Sequence, residues 1–168
     1  NSNIEIWDQN KKRIFESEKI EYVKRSLNSL IKSIKNLNQI YPSIKISLII
    51  VDDKSKNENL DKIVNILDKS NQNYEIINHD DSEHKNVIKN QKTKETFSNL
   101  SCLLKCFEIG KNKGKDLIYF VEDDYLHFRS SLEEMVSTYE RIGSQLENDL
   151  IICPADYPFL YMDNEKSN

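Results

Sequence analysis

The sequence predicts an α/β fold, a mainly parallel sheet flanked by helices. Three observations predict it. Residues 44–51 (IKISLIIV) and 116–121 (DLIYFV) are almost continuously apolar and rich in β-branched or aromatic side chains, which is the pattern of strands covered on both faces. Segments of helical period lie between and around them. Helix and strand thus alternate along the chain, and that order calls for crossover connections and parallel pairing.

The elements follow in order. The first fifteen residues are ambiguous, although Ile4-Glu5-Ile6-Trp7 alternates as a short strand does. Ser17 reads as the N-cap of a first helix. Its apolar face is Ile20, Val23, Leu27, Leu30, Ile31, Ile34 and Leu37. Tyr41-Pro42-Ser43 breaks it, and the strand at 44–51 ends on Asp52-Asp53-Lys54-Ser55. Leu60, Ile63, Val64 and Leu67 define a second helix, and residues 74–77 a short strand. Residues 78–94 are polar without an apolar period and read as a mobile, solvated loop that carries His79 and His84. Phe97, Leu100, Leu103, Leu104 and Phe107 form the core stripe of a third helix, with Gly110 as its C-cap. The strand at 116–121 runs straight into Glu122-Asp123-Asp124. Tyr119 and Phe128, on either side of this motif, are assigned to the core, and Tyr125 to the wall of a site. Ser131-Leu132-Glu133-Glu134 is a capping box, and it opens a fourth helix through Leu132, Met135, Val136, Tyr139, Ile142 and Leu146. Residues 150–153 read as a last short strand. Residues 1–168 are expected to form one domain.

Composition removes several function classes. With 24 basic and 28 acidic residues the formal net charge is -4, so a nucleic-acid binder with a basic face is not expected. No run of ~18 apolar residues exists to span a bilayer. Neither GxxxxGK[ST] nor GxGxxG occurs, and the chain has only three glycines, which excludes the glycine-rich phosphate loops. Cys102, Cys106 and Cys153 form no CxxC pair and are expected as small hydrophobes in a reducing compartment. The opening NSNIEIWDQNKKR has no basic end followed by an apolar stretch. The expected location is therefore the cytoplasm, with a peripheral seat at the inner face of a membrane as the variant.

In open parallel sheets, ligands bind beyond the carboxyl ends of the strands, and both acidic clusters fall there. In extended geometry Glu122 and Asp124 share one side and Asp123 takes the other. Two such carboxylates suit Mg²⁺ or Mn²⁺, whose shell is completed by water and substrate phosphates. The cation would neutralise a diphosphate leaving group. Asp52 and Asp53 can accept hydrogen bonds from ribose hydroxyls or a base N–H, or one of them can cap the following turn. His127, just past the acidic triplet, is a candidate metal or phosphate contact.

SLIIVDDKS, followed by helix, strand, polar loop, helix and then KGKDLIYFVEDDYLH, resembles the nucleotide-binding half of a family-2-type glycosyltransferase of GT-A fold. The likeness covers roughly residues 20–154. It implies a nucleotide-diphosphate sugar as donor, UDP-sugar favoured, and an unidentified glycan, lipid or protein acceptor. Carried over, Asp53 and Asp52 face the uracil or ribose, Glu122 lies near the ribose and Asp124 is the metal ligand. Glu122 also serves the metal, and Asp123 the nucleotide. The usual first strand and its turn are weak here, and Thr93-Lys94-Glu95-Thr96-Phe97-Ser98-Asn99 replaces a glycine- and arginine-containing approach to the third helix. Lys92, Lys94 and Asn99 are the candidates for the diphosphate. In the family the catalytic base and acceptor pocket follow the DxD-bearing half. The chain is accordingly expected to be incomplete at its C-terminus, with Asp156 as the catalytic candidate within it. Asp163 and Glu165 fall in a polar tail. Two other readings stand beside this one: a nucleotide-sugar-binding fragment without turnover, and a response-regulator-like receiver domain, suggested by LIIVDDKS but preceded here by a full helix.

Overall fold

A computed structural model describes residues 18–89 and 93–153. The first helix, α1, spans Lys19–Ile40. Its apolar stripe is buried as the period requires: Ile20, Val23, Leu27, Leu30, Ile31, Ile34 and Leu37 all lie below a tenth exposed. Strand β1, Ser47–Asp52, pairs in parallel with β2, Asn73–Asn78, in the register Ser47 opposite Asn73 through Asp52 opposite Asn78. Between them α2, Asn57–Ser70, forms the crossover. It ends at Asn71, which takes the left-handed conformation at φ 57°, a role that asparagine fills at low steric cost.

Helix α1 organises two apolar clusters. Its N-terminal half packs Ile20, Val23, Leu27 and Ile31 on Ile63 and Leu67 of α2 and on the sheet residues Leu48, Ile50, Tyr74 and Ile76. Its C-terminal half packs Leu30, Ile34 and Leu37 on Leu132 of α4, which spans Ser131–Leu146, with Met135 and Val136 alongside. Fully burying one such side chain contributes ~1.5–3 kcal/mol. Ser33, fully buried on α1, accepts the Leu132 backbone N–H at 3.0 Å and so satisfies one of the free amides at the start of α4. Tyr41, which ends α1, reaches Ser137 on the same helix at 3.0 Å.

The fold is α/β with a two-stranded parallel sheet among the described residues, smaller than expected. Residues 116–121 are extended but join no ladder, and residues 150–153 likewise form no strand. Leu117 and Ile118 are 49% and 50% exposed, and Tyr119, Phe120 and Val121 are also exposed. The physical reason is the absence of a described strand beside them. Their packing comes from the third helix, α3 (Lys94–Lys113), where Phe120 meets Phe107 edge-on at 4.9 Å between ring centroids. Phe128, expected in the core, is exposed.

Three local expectations shift. Helix α3 runs through Gly110 to Gly114, whose N–H bonds the Gly110 carbonyl. The N-cap of α4 is Ser130 rather than Ser131, and the Ser130 hydroxyl donates to Glu134 at 2.6 Å. The polar stretch after β2 is ordered around a 3₁₀ turn at Asp81–His84. Within α3, Phe107 and Leu103 are exposed, while Ser101 and Ile109 face inward. The short strand at 4–7, the Ser17 cap, Lys92, Asp156, Asp163 and Glu165 lie outside the described residues.

Candidate functional site

The carboxyl ends of β1 and β2 carry the first acidic pair. Asp52 closes β1, and Asp53 begins the turn into α2. Both are buried, at 7% and 6% exposure. Asp52 Oδ2 accepts the Ser55 N–H at 3.0 Å, the turn-closing bond typical of an Asp at this position. Lys54 between them sits at φ 58°, a left-handed conformation that costs a non-glycine residue of order 1 kcal/mol or more. Its ammonium pairs with Asp81 of the 3₁₀ turn at 2.9 Å, and this holds the turn over the strand ends.

Asp53 points to α3. Its Oδ2 accepts the Ser98 hydroxyl at 2.6 Å, whereas its buried Oδ1 has no hydrogen-bond partner. His79, one residue past β2, extends the ladder by donating its backbone N–H to the Asp52 carbonyl. Its ring is buried, and neither ring nitrogen has a partner. Burial pushes the His79 imidazolium below its ordinary range, opposed by the Asp53 charge, so the ring is neutral at pH 7. His84 lies 5.8 Å from it, centroid to centroid. The His84 ring meets Ser101 at 2.8 Å and Glu108 at 3.2 Å. The solvated loop expected for these two histidines is therefore corrected: both are buried, His84 against Ser101 and Glu108 of α3. Cys102, half-buried, stands close enough to Asp53 that the carboxylate helps raise its thiol, after the hydrogen bond to Cys106 and burial. The same bond lowers the Cys106 thiol to about 7.

The second acidic cluster is the turn that ends the extended segment. Glu122, exposed at the surface yet crowded on one side, has its carboxyl raised, first by partial burial and then by the neighbouring charges of Asp124 and Asp123, with Lys19 opposing. Asp123 leaves the group sideways through an ion pair with Lys19 at 3.2 Å. The charges of Asp123 and Asp124 both still act on Glu122. His127, a candidate metal or phosphate contact by position, has its ring nitrogens facing Tyr119 at 3.0 Å and Ser29 at 3.5 Å, and its backbone N–H bonds Ser29. It is a wall residue that docks this segment on α1.

The structure therefore brings together Asp52 with Asp53, and Glu122 with Asp123 and Asp124. No hydrogen bond or ion pair joins the two groups among the described residues. Ser98 and Cys102 complete the Asp53 environment, and Ser101 holds His84, three residues that no acidic motif marks as site residues. Their signal in the sequence is a strip of small polar side chains at i, i+3 and i+4 beside the apolar face of α3. Among the described residues no group of three or more His, Cys, Asp and Glu is arranged to hold a metal ion. No described helix is long and apolar enough to cross a membrane. Comparison with family models, curated proteins and solved structures finds no match.

Proposed function

We propose that the chain binds a nucleotide-diphosphate sugar, with a uridine nucleotide favoured, together with Mn²⁺ or Mg²⁺, and belongs to a glycosyltransferase of GT-A type. What supports this reading is three successive carboxylates, Glu122, Asp123 and Asp124, at the end of the extended segment, with Glu122 raised by partial burial first and by its two neighbours second. A carboxylate whose neighbours carry the same charge is relieved by a cation held between them. The hard divalent ions need only one or two protein carboxylates when diphosphate oxygens and water complete the shell, so a full protein cage is not required. Asp124 and Glu122 would hold the ion, which when bound supplies charge neutralisation for the departing diphosphate. Asp53 supports the nucleotide half of the reading. A buried carboxylate oxygen without a donor is costly, and a base N–H is a fitting donor for it.

The test is calorimetry with UDP-sugars. Binding should require Mn²⁺ or Mg²⁺, vanish in Asp124→Ala and weaken in Glu122→Ala. Equal affinity in chelator would overturn the metal-linked site. A turnover assay that scores both transfer and hydrolysis separates a transferase from a fragment that only binds its donor. In that assay Asp156→Asn tests the proposed catalytic carboxylate.

A further inference from the structure

We propose that the groove between α1 and the segment entering α4 is a binding site for a phosphate-bearing anion, separate from the acidic clusters. The groove encloses about 400 Å³, within the range of small-ligand sites. Lys32, Lys35, Asn36 and Gln39 line one side of it, at helical positions i, i+3, i+4 and i+7 that share a face. Arg129 closes the other side. Its Nε donates to Asn36 Oδ1 at 3.0 Å, which fixes the plane of the guanidinium and leaves its terminal N–H fork for a ligand.

The charge pattern decides the ligand class. No carboxylate lines the groove. Lys32, Lys35 and Arg129 form no ion pair among the described residues, as is true of other surface cations such as Lys69 and Lys111, but only these three line one cavity together. In a chain with 28 acidic against 24 basic residues, three cations around one cavity without a counter-charge make an anion-shaped gap. The remaining wall is Ser29 and His127, whose polar atoms are turned to each other and to Tyr119, so it adds no negative charge. Two ammonium groups and a planar fork provide many donors in a small volume. That suits a tetrahedral dianion with several acceptor oxygens better than a single carboxylate.

Phosphate chemistry of this kind comes from a soluble phosphate ester or from a lipid headgroup, and the two are tested as separate arms. Both use the full chain in EDTA, without divalent cations, so the proposed metal-linked site stays silent. In one arm pyrophosphate is titrated and the Lys32, Lys35 and Arg129 signals are followed by NMR. In the other, the chain is sedimented with phosphatidic acid vesicles, whose headgroup is a phosphomonoester, against phosphatidylcholine vesicles as blank. The triple variant Lys32→Gln, Lys35→Gln, Arg129→Gln should weaken binding in the responsive arm by roughly tenfold or more. The control Lys69→Gln, Lys111→Gln, Lys115→Gln removes the same charge from exposed positions outside the groove and should leave binding near wild type. A pyrophosphate response assigns a soluble phosphate compound, and a vesicle response a headgroup. No binding in either arm, or equal loss in both variants, would overturn the site.

Discussion

Residues 44–51 and 116–121 are both apolar runs rich in β-branched or aromatic side chains, with opposite fates. The first contains β1, which is hydrogen-bonded to β2 and covered by α1 and α2. The second is extended yet unbonded to any described strand, with Leu117 and Ile118 half exposed. A run of β-branched and aromatic residues states a preference for extended backbone. It becomes a strand only where a neighbour accepts its N–H groups and offers its carbonyls. β1 finds that neighbour one helix later, in β2. The later segment finds only the side of α3, which supplies apolar contact but no ladder.

The sharpest way to break this comparison is to truncate one side chain on each side of it. Leu67, at 0% exposure in the α1–α2–sheet cluster, should cost ~2–5 kcal/mol as Leu67→Ala. Leu117→Ala, at 49% exposure, should cost less than ~1 kcal/mol. Urea denaturation of the two variants measures both. Equal losses would mean that the extended segment belongs to the core after all.

The next effect concerns how the second region is tied to α1. Ser33→Ala removes the acceptor for the Leu132 amide and leaves a buried N–H at the start of α4. A loss of ~1–2 kcal/mol is expected. Ser29→Ala, which frees the His127 amide in a partly buried setting, should cost less. The ranking is read from denaturant midpoints.

His79 sharpens the comparison through pH. Burial lowers its folded-state pKa from 6.5, so the unfolded chain binds the proton more readily than the native one. Stability therefore has its full value above about pH 6.5 and falls as pH drops towards the lowered native value, below which this contribution levels off. His79→Gln should flatten that part of the profile. A profile unchanged by the substitution would show that the ring is not held neutral in the native state.

What the sequence makes legible follows from the same contrast. The buried stripe of α1 from Ile20 to Leu37, the α2 face through Ile63 and Leu67, and the β1 run are set by local period, and local period is readable one residue at a time. The acidic pairs could be placed at segment ends for the same reason. The surroundings of Asp53 were not legible, because Ser98 and Cys102 lie about 45 residues away and meet it only when α3 docks. The burial of His84 in a polar stretch depends likewise on Ser101 and Glu108, which no spacing within that stretch reveals.

The smallest predicted effect probes the seam between α3 and the extended segment. Gly110 is inside α3, and an added methyl there would stand 2.8 Å from the Phe120 ring edge. Alanine gains ~1 kcal/mol over glycine in a helix interior. Against that gain stands displacement of Phe120, whose edge contact with Phe107 contributes at most ~1 kcal/mol at a partly exposed site. Because Phe120 is 43% exposed and its ring is the far end of a rotatable side chain, it should swing aside, and Gly110→Ala should be neutral within ~0.5 kcal/mol. Gly114→Ala is the contrast. There the methyl would meet the Gly110 carbonyl oxygen at 2.5 Å as well as Ile118, and backbone cannot move aside as a ring does, so a loss of ~1–3 kcal/mol is expected. A large loss at Gly110, comparable to that at Gly114, would mean that Phe120 is locked in place and that residues 116–121 are packed as firmly as β1.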